Sequence, residues 1–194
     1  MKNKTMLQFK FDKEKCISVL SYITGNLETA DFLRVFKVLY FAEQKHLARF
    51  GRPIVGDNYL AMKHGPVPYN IYNELRNIES GIGKMMDNFM KNNVSFSDYF
   101  EVKKNDTGKC IFSNFNPDFD VISQSELMCL NESLEENKKL SFNELSNKSH
   151  DSAWKKANIN DEMDILDIAK SGGASSEMLN YISIMAENQD LVFA

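Results

Sequence analysis

The chain is poor in the residues that announce a chemistry. It has three cysteines, Cys16, Cys110 and Cys129, an odd number at wide spacing, so no disulfide framework is expected. There is no C-x-x-C, and His46, His64 and His150 lie far apart in sequence, which leaves a zinc ion without a ligand set. Neither G-x-G-x-x-G nor G-x-x-x-x-G-K-[ST] occurs, so a phosphate cradle lacks its signature. No apolar run reaches the roughly 18 residues of a transmembrane helix. Residues 1–15 contain no apolar core of a secretory signal. Charge of one sign does not dominate: the formal net charge is −4 and the pI about 5.5, which argues against nucleic-acid binding through bulk charge. These absences point to a reduced, cytoplasmic protein with no metal, no cofactor and no membrane contact.

What is present is a core. Hydrophobic residues make up 43% of 194 residues, enough for one domain with or without a terminal extension. Charge is uneven along the chain: residues 1–80 sum to +4 and residues 81–194 to −8. A mildly basic front half covered by an acidic back half is one reading, and ordinary surface variation is the other.

Patterning predicts an α-rich α+β fold around one buried helix. Residues 1–12 read as a loose end or short edge strand, and 13–24 as a first helix ending at Gly25-Asn26. Thr29 is the expected cap of the central helix, with Asp31 in its first turn. From Phe32 to Ala42 apolar residues cover every face, which predicts a helix surrounded by other elements. Lys37 interrupts that run and needs a partner for its ammonium. Beyond Ala42 the helix turns amphipathic through Glu43, Gln44, Lys45 and Arg49, and ends at Gly51. A short hairpin is expected near 54–62, with Ile54-Val55 and Tyr59–Met62 as strands around Gly56-Asp57-Asn58. Gly65-Pro66-Val67-Pro68 reads as a break before a third helix from Tyr69. A second small hairpin is expected near 99–113, and capping boxes at Ser123 and Ser141 start two more helices. An acidic helix over 161–170 and a final amphipathic helix over 176–188 complete the chain.

The candidate functional residues each carry a plainer structural reading. Gly56 and Gly65 suit backbone conformations that a side chain opposes. His46 borders the buried face of the central helix and reads as a hydrogen-bonded packing residue. Cys110 with His150 makes a weak nucleophile pair, since no nucleophile motif surrounds the cysteine. Asp161, Glu162, Asp164 and Asp167 read as a solvated helix face. Trp154 reads as a core anchor with its indole N–H satisfied, the sharper alternative being an exposed interface anchor.

One stretch resembles a known family. Lys37-x-Leu39-Tyr40-Phe41-Ala42, then His46, then Gly51-Arg52-Pro53-Ile54-x-Gly56-Asp57-x-Tyr59-x-Ala61-Met62-Lys63-x-Gly65-Pro66-Val67-Pro68, then Ile71-Tyr72, is similar to the Panacea domain, the SocA-like antitoxin domain of bacteria and their phages. Ser149-His150-Asp151 with Trp154 looks like the domain's second motif. The resemblance covers about residues 29–158. It leaves 1–28 as an N-terminal segment with the first helix, and 159–194 as a helical extension packed on the same domain.

The resemblance implies a non-enzymatic antitoxin of a type II toxin–antitoxin pair, whose partner is a cognate protein toxin encoded next door. It also implies, for some members, an adaptor role delivering the toxin to a ClpXP-type protease. The motif residues carried over, as scaffold or partner contacts, are Lys37, Tyr40, His46, Gly51, Pro53, Gly56, Asp57, Tyr59, Gly65, Pro66, Val67, Tyr72, His150 and Trp154. Met85, Phe89 and Met90 are candidate adaptable contacts. Rival readings are a winged-helix-like DNA-binding regulator, which the net charge disfavours, and a hydrolase or transferase using His150, Asp151 and a cysteine.

Overall fold

The computed structural model describes residues 6–81, 94–105 and 108–188. Among them are eight α-helices and two antiparallel two-stranded hairpins, an α-rich α+β fold. Helix α1 spans Lys13–Gly25, α2 Phe32–Phe50 and α3 Tyr69–Glu79. Strands β1 (Tyr59–Met62) and β2 (Gly65–Pro68) pair, as do β3 (Phe100–Asn105) and β4 (Gly108–Ser113). Then follow α4 (Gln124–Asn137), α5 (Phe142–Ser149), α6 (Ser152–Lys156), α7 (Ile165–Ser171) and α8 (Ser176–Glu187).

Helix α2 is apolar all round because it serves two cores. Val35, Phe36, Val38, Leu39 and Ala42 join a cluster with α1, α3, α4 and the β3–β4 hairpin. Tyr40, Phe41 and Leu47 join a second cluster completed by Tyr59, Ala61, Ala153, Met163, Ile168, Ala169 and Ile182. A fully buried side chain of this size contributes about 1.5–3 kcal/mol, so α2 is the element whose loss would open both clusters.

Local signals set most of the boundaries. Both capping boxes form: the side chains of Ser123 and Ser141 accept from the amides of Glu126 and Glu144, whose carboxylates return to the cap amides. Gly51, at φ 71°, ends α2 with its N–H on the Leu47 carbonyl. Asp31 rather than Thr29 is the cap of α2, its carboxylate accepting from the Arg34 amide at 2.9 Å. A carboxylate at the dipole's positive end is the stronger cap, and Asp31 stands three residues before the amide it takes.

The first hairpin differs from the expected one. Ile54-Val55 is not a strand; Tyr59–Met62 pairs instead with Gly65–Pro68, with Lys63-His64 as the turn. The two prolines are tolerated because they alternate. Ala61 uses its N–H and C=O on the far side, toward Asp161 and Asn160, so its opposite number Pro66 faces its missing N–H away from β1. The acidic helix expected from residue 161 does not start there, and residues 160–163 extend the ladder instead: Asn160 N–H meets Ala61 O at 2.8 Å, and Met163 N–H meets Tyr59 O at 2.8 Å.

Candidate functional site

The signature residues meet where α2, the β1–β2 hairpin and the α5–α6 corner join. Lys37, Tyr40 and Gln44 lie at i, i+3 and i+7, hence on one stripe of α2. Lys37 is 1% exposed, and its ammonium donates to the Pro66 carbonyl at 2.7 Å. Among the described residues no carboxylate pairs with it, and burial lowers its pKa to about 7. One turn on, the Tyr40 hydroxyl donates to Asp151 Oδ2 at 2.8 Å, and Gln44 Nε2 donates to that same oxygen at 2.7 Å. The other oxygen of Asp151 accepts the amides of Ala153 and Trp154, capping α6. Burial, then the Asp151 charge, push the Tyr40 hydroxyl above the ordinary tyrosine range.

The hairpin is clamped from the other side by the α5–α6 corner. Trp154 Nε1 donates to the Met62 carbonyl at 2.9 Å, and His150 stacks on Trp154 at 3.8 Å between ring centroids. Burial lowers the His150 pKa, and its buried Nε2 has no hydrogen-bond partner among the described residues. Gly65, at φ 96°, has no room for a side chain: a Cβ there would lie 2.2 Å from Ser149 Oγ and 2.9 Å from Lys37 Nζ. Tyr59 packs edge-on against Tyr40 at 5.2 Å.

Two buried carboxylates hold the loop between α2 and β1. Glu43, 1% exposed, accepts the amides of Ile54 at 2.6 Å and Val55 at 3.0 Å. Burial raises its pKa to about 7 against the pull of those two bonds. The amphipathic pattern placed Glu43 and Gln44 toward solvent; both are buried, because the loop and Asp151 supply their partners. Asp57 accepts the amides of Asn70 and Ile71 at 2.9 Å each. It thereby caps α3, whose own N-cap residue, Pro68, has no side chain to offer. Gly56, at φ 72°, sits against the Lys10 carbonyl, 2.3 Å from where a Cβ would be. Pro53 lines a cavity of about 20 Å³ beside Glu43, Asp57 and Tyr59. That volume is far below the hundreds of cubic ångströms of a small-molecule pocket.

The remaining motif residues are also internal. His46 is fully buried, with Nδ1 2.7 Å from the Arg52 carbonyl and Nε2 3.1 Å from Ser125 Oγ, and burial lowers its pKa. Gly51 lies under Tyr181 and Met178 of α8, Tyr72 packs edge-on to Phe36 at 6.2 Å, and Val67 is half-buried. Every one of these fourteen residues is buried or half-buried. Exposed side chains near the clamp belong to others: Lys63 and His64 at the hairpin turn, with His64 against Phe142 at 5.2 Å. Met85, Phe89 and Met90 lie outside the described residues.

The rival chemical groupings do not assemble. Cys110, on β4, forms a backbone bridge with Asp31 at the start of α2, whereas His150 stacks on Trp154 at the α5–α6 corner. Burial pushes the thiols of Cys16 and Cys129 upward, away from thiolate character. The supposed acidic cluster divides: Glu162 accepts from Gln8, Asp164 caps α7, and Asp167 pairs with Lys156 at 2.7 Å. Missed by sequence reasoning were the buried roles of Glu43 and Gln44. The i+4 spacing of Gln44 from Tyr40 was a usable signal, whereas the burial of Glu43 depends on a loop that had been read as a strand.

This is a helical domain whose signature is a buried lock between a central helix and a proline-bearing hairpin, with its polar groups turned inward. The model of the family described as antitoxin SocA-like, Panacea domain, matches residues 35–155, more than half of the chain. The protein belongs to that antitoxin-like family, which assigns it a generic antitoxin role. No curated protein and no solved structure gave a match. Among the described residues, no helix is long and apolar enough to cross a membrane.

Proposed function

We infer that this chain is the antitoxin of a type II pair, acting in the cytoplasm by binding a protein toxin and without catalysing a reaction. The observation that carries the reading is the inward use of the signature. Tyr40, Gln44 and Asp151 satisfy one another, Glu43 and Asp57 hold backbone amides, and both nitrogens of His46 are engaged. Side chains committed to such bonds build a rigid platform and leave none of these groups facing a substrate. A rigid platform suits tight binding, since less ordering is lost on association.

The test is expression of the product of the adjacent reading frame under an inducible promoter. Growth arrest that co-expression of this chain relieves supports the reading. A non-toxic neighbour, or arrest that this chain leaves untouched, removes it. Repeating the rescue in cells lacking the ClpXP-type protease separates occlusion from delivery: rescue persists under occlusion and fails under an adaptor mechanism.

A further inference from the structure

Two buried side-chain atoms of the signature find no hydrogen-bond partner among the described residues, His150 Nε2 and the Tyr59 hydroxyl. The second belongs to a residue that borders a cavity. Tyr59 is 3% exposed on β1, and its ring is fixed edge-on against Tyr40 at 5.2 Å. With Glu43, Leu47, Asp57, Asn58 and Ile168 it lines the space of about 20 Å³ behind the hairpin. Burial, then the charges of Glu43 and Asp57, push its hydroxyl well above the ordinary tyrosine range. The group is therefore an O–H donor at neutral pH, and a buried donor left unsatisfied is costly.

The same cavity offers acceptors. Glu43 Oε2 takes the Ile54 amide at 2.6 Å and Oε1 takes the Val55 amide at 3.0 Å, which leaves lone-pair capacity on each oxygen. With its pKa raised to about 7, Glu43 also carries a proton below that pH, and two amide donors cannot receive it. We propose that the cavity is the binding site of one internal water, which accepts the hydrogen bond of the Tyr59 hydroxyl and bridges it to the Glu43 carboxyl. The volume selects the ligand: a water needs about 10–15 Å³ and two to four polar partners, and both conditions are met here. A metal ion has no cage, since among the described residues no three histidine, cysteine or carboxylate side chains converge. The water joins β1 to the carboxylate that holds the 54–55 loop, a link that the two side chains do not make directly. This inference is independent of the antitoxin reading.

The experiment is oxygen-17 magnetic relaxation dispersion of water in solutions of the full chain, which counts internal waters and is blind to exchanging hydroxyl and carboxyl hydrogens. Tyr59→Phe removes an atom that no described protein group holds, so the variant is expected to fold. The wild type should show one long-lived water more than Tyr59→Phe; equal counts overturn the proposal. Denaturant unfolding gives a second reading. A dry, unpartnered hydroxyl predicts that Tyr59→Phe raises the folding equilibrium constant about tenfold, whereas a bridged one predicts no gain. A tenfold gain therefore overturns the water. A crystal structure of the wild type should place a water oxygen within about 3.2 Å of both Tyr59 Oη and a Glu43 oxygen. No density there, or a sodium or potassium ion in its place, overturns the proposal as well.

Discussion

Tyr40 and Asp151 are 111 positions apart in the chain, and the hydroxyl of one meets the carboxylate of the other at 2.8 Å. That bond joins the central helix to the corner that clamps the hairpin, because the same carboxylate also caps α6 and takes the Gln44 amide. Asp151→Ala removes a cap and strands two buried donors, so its expected cost is about 3–5 kcal/mol. Tyr40→Phe leaves Gln44 in place and costs about 1–3 kcal/mol. Denaturant unfolding of the two variants and their double mutant checks this, with a coupling energy of about 0.5–3 kcal/mol expected. Simple additivity would contradict a shared network.

Lys37 gives a pH signature. Its pKa is lowered from 10.5 to about 7 in the folded protein by burial. Between those values the unfolded chain binds the proton and the folded state does not. Its stability contribution is therefore present above pH 10.5 and is lost as pH falls to about 7. Lys37→Met should gain on the wild type as pH falls through that window, offset by the unpaired Pro66 carbonyl. Unfolding curves from pH 10 down to pH 7 measure it; parallel curves would mean that Lys37 keeps its ordinary pKa.

Glu43 acts in the neighbouring window. Its pKa is raised from 4.5 to about 7, so the folded state holds a proton that the unfolded chain releases. The contribution is full below pH 4.5 and falls away as pH rises to about 7. Glu43→Gln loses one of the two amide bonds to the 54–55 loop, which costs about 1–3 kcal/mol. The gap to the wild type should be widest near pH 4.5 and should narrow toward pH 7. A gap constant with pH would show Glu43 ionised throughout.

Two glycines separate packing from backbone conformation. Gly65 and Gly81 both have positive φ, 96° and 72°, but a Cβ at Gly81 meets nothing within 4 Å. Gly81→Ala should cost about 1 kcal/mol for the backbone alone. Gly65→Ala should cost several times more, about 3 kcal/mol or beyond, because Ser149 and Lys37 must give way. Thermal melts of the two variants decide; equal costs would mean that the clamp yields easily.

How far the sequence disclosed this molecule depended on range. The capping boxes at Ser123 and Ser141 and the Gly51 stop are local, and the structure has them where the pattern places them. The all-round apolarity of α2 rightly indicated a central helix, since two cores share it. The first hairpin was misplaced because Gly56-Asp57-Asn58 has turn composition, while its real task is remote: Asp57 caps α3. The prolines of β2 argued against a strand until their alternation is set beside the outward-facing ladder bonds of Ala61. Burial of Glu43 and Gln44 rests wholly on partners far along the chain, which periodicity does not report.

The central claim is protection by contact, without chemistry on the toxin. The most direct measurement mixes the purified chain with the purified toxic product of the adjacent reading frame, and follows complex formation by size-exclusion chromatography and the toxin's intact mass by mass spectrometry. The expected result is a saturable complex, inactive toxin of unchanged mass, and the same outcome with the Cys110→Ala variant. A toxin of altered mass, or one inactivated at sub-stoichiometric amounts of this chain without a complex, would contradict it.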